Sequence, residues 1–192
     1  MDDRVVIAVL EGTVREGRKS LAVAQWVAEF GRKQPNVEII LVDPKDLNLP
    51  GDGDNPNTGD PHYIEVTRRA DAFVIVTPEY NHSVPSSLKR MLDSEGADYR
   101  HKPVALVGVS NGSWGGVRVC EALLPICHTL WMVNIKPELY FPRVQDIFDE
   151  SGTMKPEFEP RYIKNTQAQY DELIWMARLL KAGRQQPEAK QA

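Results

Sequence analysis

Three short runs that are apolar at nearly every position limit what this chain can fold into. They are Arg4–Leu10 (RVVIAVL), Asp71–Thr77 (DAFVIVT) and Pro103–Val109 (PVALVGV). A strand that alternates apolar and polar residues can keep one face in water, but a continuous β-branched run has no solvent face and must be covered on both sides. Val37–Val42 reads as a further strand between the first two. Between the strands the period changes from two to 3.6. Ser20–Lys33 carries Leu21, Val23, Ala24, Trp26, Val27 and Phe30 on helical spacing and ends in basic residues. Helices are expected at Asp60–Arg69, Ser86–Leu92, Gly116–Leu130 and Pro160–Lys181. Strands alternating with helices predict an α/β fold, a parallel sheet with helices on both faces, completed by a fifth strand near Val133–Tyr140. Phe141–Glu159 gives no assignable pattern. The 192 residues suit one domain, spanning 1–184, with the polar tail 185–192 expected to be disordered.

Charge and composition narrow the function. Lys and Arg number 23 against 27 Asp and Glu, a net charge of −4, which argues against sequence-independent nucleic-acid binding. The chain enters its first strand with no signal-peptide pattern, and no run approaches the ~18 apolar residues of a membrane span. A cytoplasmic address follows as the expectation. Cys120 and Cys127 are too far apart for a CxxC pair and read as buried, reduced thiols. In the long loop Pro44–Pro61, Asp52-Gly53-Asp54 hints at calcium, but an EF-hand register would put Pro56 and Tyr63 where ligands belong. No metal site is expected.

In an open parallel sheet, ligands bind beyond the carboxyl ends of the strands. Three loops lie there. The first, Glu11–Ser20, brings Thr13, Arg15, Arg18 and Ser20 to a helix entrance. Hydroxyls, guanidinium forks and free N–H groups can grip a phosphate there. The same residues also fit a plain N-cap with solvated arginines, and the loop contains neither GxxxxGK[ST] nor GxGxxG. The second, Thr77–Pro85, places Glu79, Tyr80 and Asn81 between prolines. Thr-Pro forbids helical continuation, so the chain must turn, and Tyr80 can present a flat face. The third, Ser110–Arg118, holds Gly112, Gly115 and Gly116 around Trp114, where the backbone can approach a ligand closely.

The segments GTVREGRKS, TPEYNHSVPSSLKRMLD and KPVALVGVSNGSWGGVR resemble, in order and spacing, the NAD(P)H-dependent FMN reductases, which include quinone, azo-dye and chromate reductases. The resemblance spans roughly Val5–Val133. It implies a flavodoxin-like three-layer sandwich with a five-stranded parallel sheet, a non-covalent FMN, and NADPH or NADH as co-substrate. It further implies a homodimer or homotetramer acting on a small-molecule electron acceptor; the charge balance and the lack of a long apolar run leave neither nucleic acid nor membrane as an expected partner. By motif position it puts Thr13, Arg15, Arg18 and Ser20 around the phosphate. Pro78, Glu79, Tyr80 and Asn81 would line the isoalloxazine, joined by Ser110, Gly112, Trp114, Gly115 and Gly116. The chain departs from the family at Thr13 (commonly Ser), Ser86 (often Gly) and Ser94 (usually Trp); the last two bear on the pocket's outer wall.

Hydride transfer is cofactor chemistry, so no catalytic side chain is required. His82 is placed for proton delivery at neutral pH, but a positioning or surface role is favoured. Two rival readings remain. One is an FMN electron carrier without nicotinamide chemistry. The other is a serine hydrolase built on Gly108-Val109-Ser110-Asn111-Gly112, a GxSxG elbow whose only downstream acid and histidine before the next turn are Glu121 and His128.

Overall fold

The apolar runs form the strands β1 (Val5–Glu11), β2 (Val37–Val42), β3 (Ala72–Pro78) and β4 (Pro103–Val109) of a computed structural model. It describes residues 3–51, 53–55 and 59–186. Asp52 and Pro56 of the acidic loop, and residues 187–192 of the tail, lie outside the described residues. The helices are α1 (Ser20–Arg32), α2 (Pro61–Arg69), α3 (Ser86–Asp93), α4 (Val117–Thr129), α5 (Val144–Ile147) and α6 (Glu159–Arg184).

With Val133–Asn134 as β5, all strand pairings are parallel, in the order β2-β1-β3-β4-β5, the flavodoxin-like order. Period-two burial sorts the strands onto two cores. Val5, Ile7, Val9, Val74, Val76 and Val107 meet α1 and α6 on one face. Ala8, Leu10, Phe73, Ile75 and Leu106 meet α2, α3 and α4 on the other. Each of the Val, Leu, Ile and Phe side chains among them contributes about 1.5–3 kcal/mol by leaving water, which is why the central strands carry almost no polar residue.

The fifth strand departs from expectation by splitting. β5 (Val133–Asn134) pairs with Pro103 and Val104, whereas β6 (Leu139–Phe141) pairs with Val107–Val109. Between Asn134 and Leu139 the chain has two more residues than β4 has between the matching positions. Pro137, which has no N–H for the ladder, sits in that excess. The unassigned stretch after β6 also proves ordered: α5 follows, and Phe148 bridges to Met154.

Two polar devices fix the helices. Asp71, nearly buried, accepts from Val6 N (3.1 Å), Lys181 Nζ (2.9 Å) and Arg184 Nη2 (3.0 Å), tying the end of α6 to the amino ends of the strands. Asp60 caps α2 by accepting from His62 N (2.9 Å) and Tyr63 N (3.1 Å). Asp60→Ala is expected to lower stability by about 1 kcal/mol, read from the midpoint of urea unfolding.

Candidate functional site

The order β2-β1-β3 puts the reversal of winding between β1 and β3, and the three loops converge just beyond the strands' carboxyl ends. They enclose a cleft of about 590 Å³. Of the residues expected there, Arg15, Arg18, Ser20, Pro78, Glu79, Tyr80, Ser110, Gly112 and Trp114 line it. Thr13, Asn81, Gly115 and Gly116 do not. Thr13 is buried behind the wall, and Asn81 is exposed at the tip of the second turn.

One end of the cleft is basic. Arg15, Arg18 and Lys19 line it with Glu16 as the acidic residue among them. Beneath this loop stands a residue that sequence reasoning missed, Glu11, fully buried as the last residue of β1. Its Oε1 accepts from Ser20 Oγ (2.5 Å) and its Oε2 from Thr13 N (2.8 Å). Arg18 turns inward over it: Nε lies 3.4 Å from Glu11 Oε2 without a hydrogen bond, and Nη2 donates to Asp43. Burial pushes the Glu11 carboxyl up to about 7; the Ser20, Thr13 and Arg18 partners restrain the rise and Asp43 adds to it. A polar residue inside an apolar strand was the available signal, but its position at the strand end made it read as the loop's first residue.

The other end is formed by the second turn. Tyr80 N donates to Ser83 O (3.1 Å) and Ser83 N to Tyr80 O (2.9 Å), closing a tight turn in which Asn81 and His82 both take positive φ. The Tyr80 hydroxyl shares a hydrogen bond with Thr13 Oγ1 (3.1 Å), and the Arg15 guanidinium lies 5.7 Å from the ring centroid. Thr13 therefore acts on the cleft by holding Tyr80. Glu79 Oε1 pairs with Arg118 at 3.5 Å, while Oε2 is buried without a hydrogen-bond partner. A buried unpaired carboxylate oxygen is costly unless a ligand N–H meets it. The imide edge of an isoalloxazine carries such a donor.

The third loop owes two of its glycines, Gly115 and Gly116, to packing; a Cβ on Gly112 would meet nothing. A Cβ on Gly116, at φ 83°, would meet the backbone of Gly108 and Val109 at 2.6–2.8 Å, and one on Gly115, at φ 65°, would meet Tyr140 and Pro142. The loop rests on the end of β6 and the residues that follow, where Ser110 N donates to Phe141 O (3.1 Å), Arg143 N to Gly112 O (2.9 Å) and Val144 N to Ser110 O (3.1 Å). Trp114 stands 67% exposed at the rim, with Arg118 at 5.5 Å.

The geometry disposes of the hydrolase. Ser110 Oγ donates to Gly112 O (2.9 Å), and His128 lies in the last turn of α4, about 16 Å along a helix whose first turn adjoins the loop. Glu121 and His128 are both exposed, so no triad can assemble on Ser110. His82 is exposed at the turn's tip.

A family model described as NADPH-dependent FMN reductase matches residues 5–146. A quinone reductase of Pseudomonas putida is 30% identical over 161 residues, covering 80% of this chain and 87% of that one. An NAD(P)H-dependent FMN reductase of Schizosaccharomyces pombe is 32% identical over 158 residues, covering 74% and 78%. Among solved structures, a flavoenzyme NAD(P)H:(acceptor) oxidoreductase from Paracoccus denitrificans superposes with a TM-score of 0.73 at 20% identity, covering 88% of this chain and 97% of that chain. At that identity the likeness shows the fold.

Proposed function

The chain belongs to the NADPH-dependent FMN reductase family, and from that premise we propose that its cleft binds FMN and passes hydride from NAD(P)H to a second small acceptor. The chemistry that FMN supplies when bound is two-electron transfer through the flavin N5 to a quinone, flavin, azo compound or metal oxyanion. The chain's own residues bind, orient and shield.

The observation that carries this reading is the polarity of one continuous cleft, basic at the Thr13–Ser20 end and flat with an unpaired acceptor at the Pro78–Tyr80 end. Arg15, Arg18 and Ser20 are the phosphate ligands in this reading, with Thr13 aligning Tyr80. Pro78, Glu79 and Tyr80 would line the ring's side of the cleft, and Glu79 Oε2, which has no partner of its own, would be the acceptor for an imide N–H. Asn81 shapes the turn through its positive φ. Ser110 and Gly112 form the opposite wall, which Gly115 and Gly116 allow to sit close against β4 and β6. Trp114 offers an exposed apolar plane for nicotinamide or a planar acceptor. No acid or base is needed in contact with the reacting atoms, and none of the exposed residues at the turn's tip is assigned one.

No helix among the described residues is long and apolar enough to cross a membrane. We place the enzyme in the cytoplasm, consistent with the free, buried Cys120 and Cys127, whose thiols burial pushes up to about 12. We also assign it a homo-oligomeric state, supported by Trp175 and Leu179, more than half exposed one turn apart on α6.

Two measurements test the reading. Sustained NADPH oxidation that depends on both FMN and an added quinone is expected; turnover without FMN dependence would contradict it. Arg15→Ala is expected to weaken FMN binding by roughly tenfold to a hundredfold through loss of a charge-assisted contact, read by quenching of flavin fluorescence. An unchanged affinity would show that the first loop does not hold the phosphate.

A further inference from the structure

The basic end of the cleft contains a titratable group that hydride chemistry does not use. Glu11 is fully buried, and it already holds the donors that a phosphate at this loop would need. Ser20 Oγ donates to its Oε1 and Thr13 N to its Oε2. Arg18, with a side chain only 7% exposed, faces it at 3.4 Å and spends its Nη2 on Asp43. The charged groups facing Glu11 are thus Arg18 from its own loop and Asp43 from the exit of β2. Its register partner on β3 is the uncharged Val76, and α1 presents the hydroxyl of Ser20. Both acids here have like charge to an incoming phosphate.

Resting on the reading that the FMN phosphate binds at Thr13–Ser20, we propose that Glu11 is an internal stand-in for that phosphate. The ligand takes over Ser20 Oγ–H and Arg18, and Glu11 takes up one proton from solvent as it gives them up. The balance is simple: two anions cannot share one set of buried donors, so one must be neutralised, and the protonated carboxyl becomes a donor in its turn. The chain's own carboxylate therefore keeps the empty loop in its binding shape while making cofactor capture proton-linked.

The sign follows from the Glu11 carboxyl, which burial holds at about 7 before any ligand arrives. Below that pH the carboxyl already carries its proton, and phosphate binding draws none. Above it the free protein holds a carboxylate, so each bound FMN must bring a proton with it and affinity falls as pH rises. Between about pH 7.5 and 9 the FMN phosphate stays a dianion, its second pKa being about 6, so the ligand's own charge does not change.

The test is a fluorescence titration of flavin-free protein with FMN and, separately, with riboflavin, which has the same ring and no phosphate, across that pH window. The Kd for FMN is expected to rise toward the one-proton limit of about tenfold per pH unit, while that for riboflavin stays level. Calorimetry of the unaltered protein in two buffers of unlike ionisation enthalpy is expected to report uptake approaching one proton per FMN. Glu11→Gln, which keeps the size and an acceptor for Thr13 N, is expected to flatten the FMN profile. FMN binding with a flat profile and no proton uptake overturns the proposal and leaves the FMN reading standing. Equal slopes for the two ligands, or a slope that survives Glu11→Gln, also overturn it. Failure to bind FMN at any pH overturns both.

Discussion

Arg18→Ala is expected to destabilise the protein by about 2–3 kcal/mol at pH 8, because Asp43 loses a charge-assisted donor and Glu11 must take up a proton at a cost of up to ~1.4 kcal/mol. Arg18 is buried between Glu11 and Asp43, one from the end of β1 and the other from the exit of β2. Its removal leaves Glu11 without a cation, so the buried carboxyl takes up a proton, and leaves Asp43 without its Nη2 donor. The cost depends on pH in a defined direction. The Glu11 carboxyl holds a proton up to about 7, so at pH 6 it is neutral and Arg18 there compensates Asp43 alone. The loss on Arg18→Ala should therefore shrink as pH falls from 8 to 6. Urea unfolding of both proteins at the two pH values measures this directly. Losses that are equal at both, or below about 1 kcal/mol at pH 8, would show that the pair is solvated after all.

The second large effect lies outside the cleft. Phe141→Ala is expected to cost about 3–5 kcal/mol, the range for truncating a buried aromatic in a close-packed core. Phe141 is fully buried, stacks on Tyr162 at 4.3 Å with planes 9° apart, and meets Trp26 and Phe148 edge-on or tilted at 6.2–6.3 Å. Its carbonyl accepts from Ser110 N, so the ring anchors the strand that supports the third loop. Thermal unfolding should report the stability loss, and FMN titration a weakened affinity in the fraction that remains folded. A variant that loses stability yet binds FMN unchanged would detach this core from the site.

These two residues mark where the sequence was and was not legible. β1 to β4 could be placed within a residue or so because burial on both faces leaves no freedom of composition, and the helix periods follow from the same demand. The three loops were legible for a topological reason: in a parallel sheet they must emerge at one end. Glu11 was not, since its burial depends on Ser20, Arg18 and Asp43 closing over it from other segments. The split of β5 from β6 was hidden because Val133–Tyr140 is apolar enough for one strand, and only pairing with β4 exposes the two surplus residues. Phe141–Glu159 gave no period because its order comes from successive short turns that seat Phe141, Val144, Ile147, Phe148 and Met154 in the core, not from a repeat of its own. The packing demand on Gly115 and Gly116 was equally out of sight, since it is set by β4 and β6, which the loop meets only in the folded chain.

A flavin held in this cleft and reducible by nicotinamide reports itself by its colour. Protein reconstituted with FMN, freed of unbound flavin and mixed with NADPH without oxygen, should lose its yellow colour and regain it when a quinone is added. Protein that retains no FMN, or whose bound flavin stays yellow in excess NADPH and NADH, would contradict the proposed function.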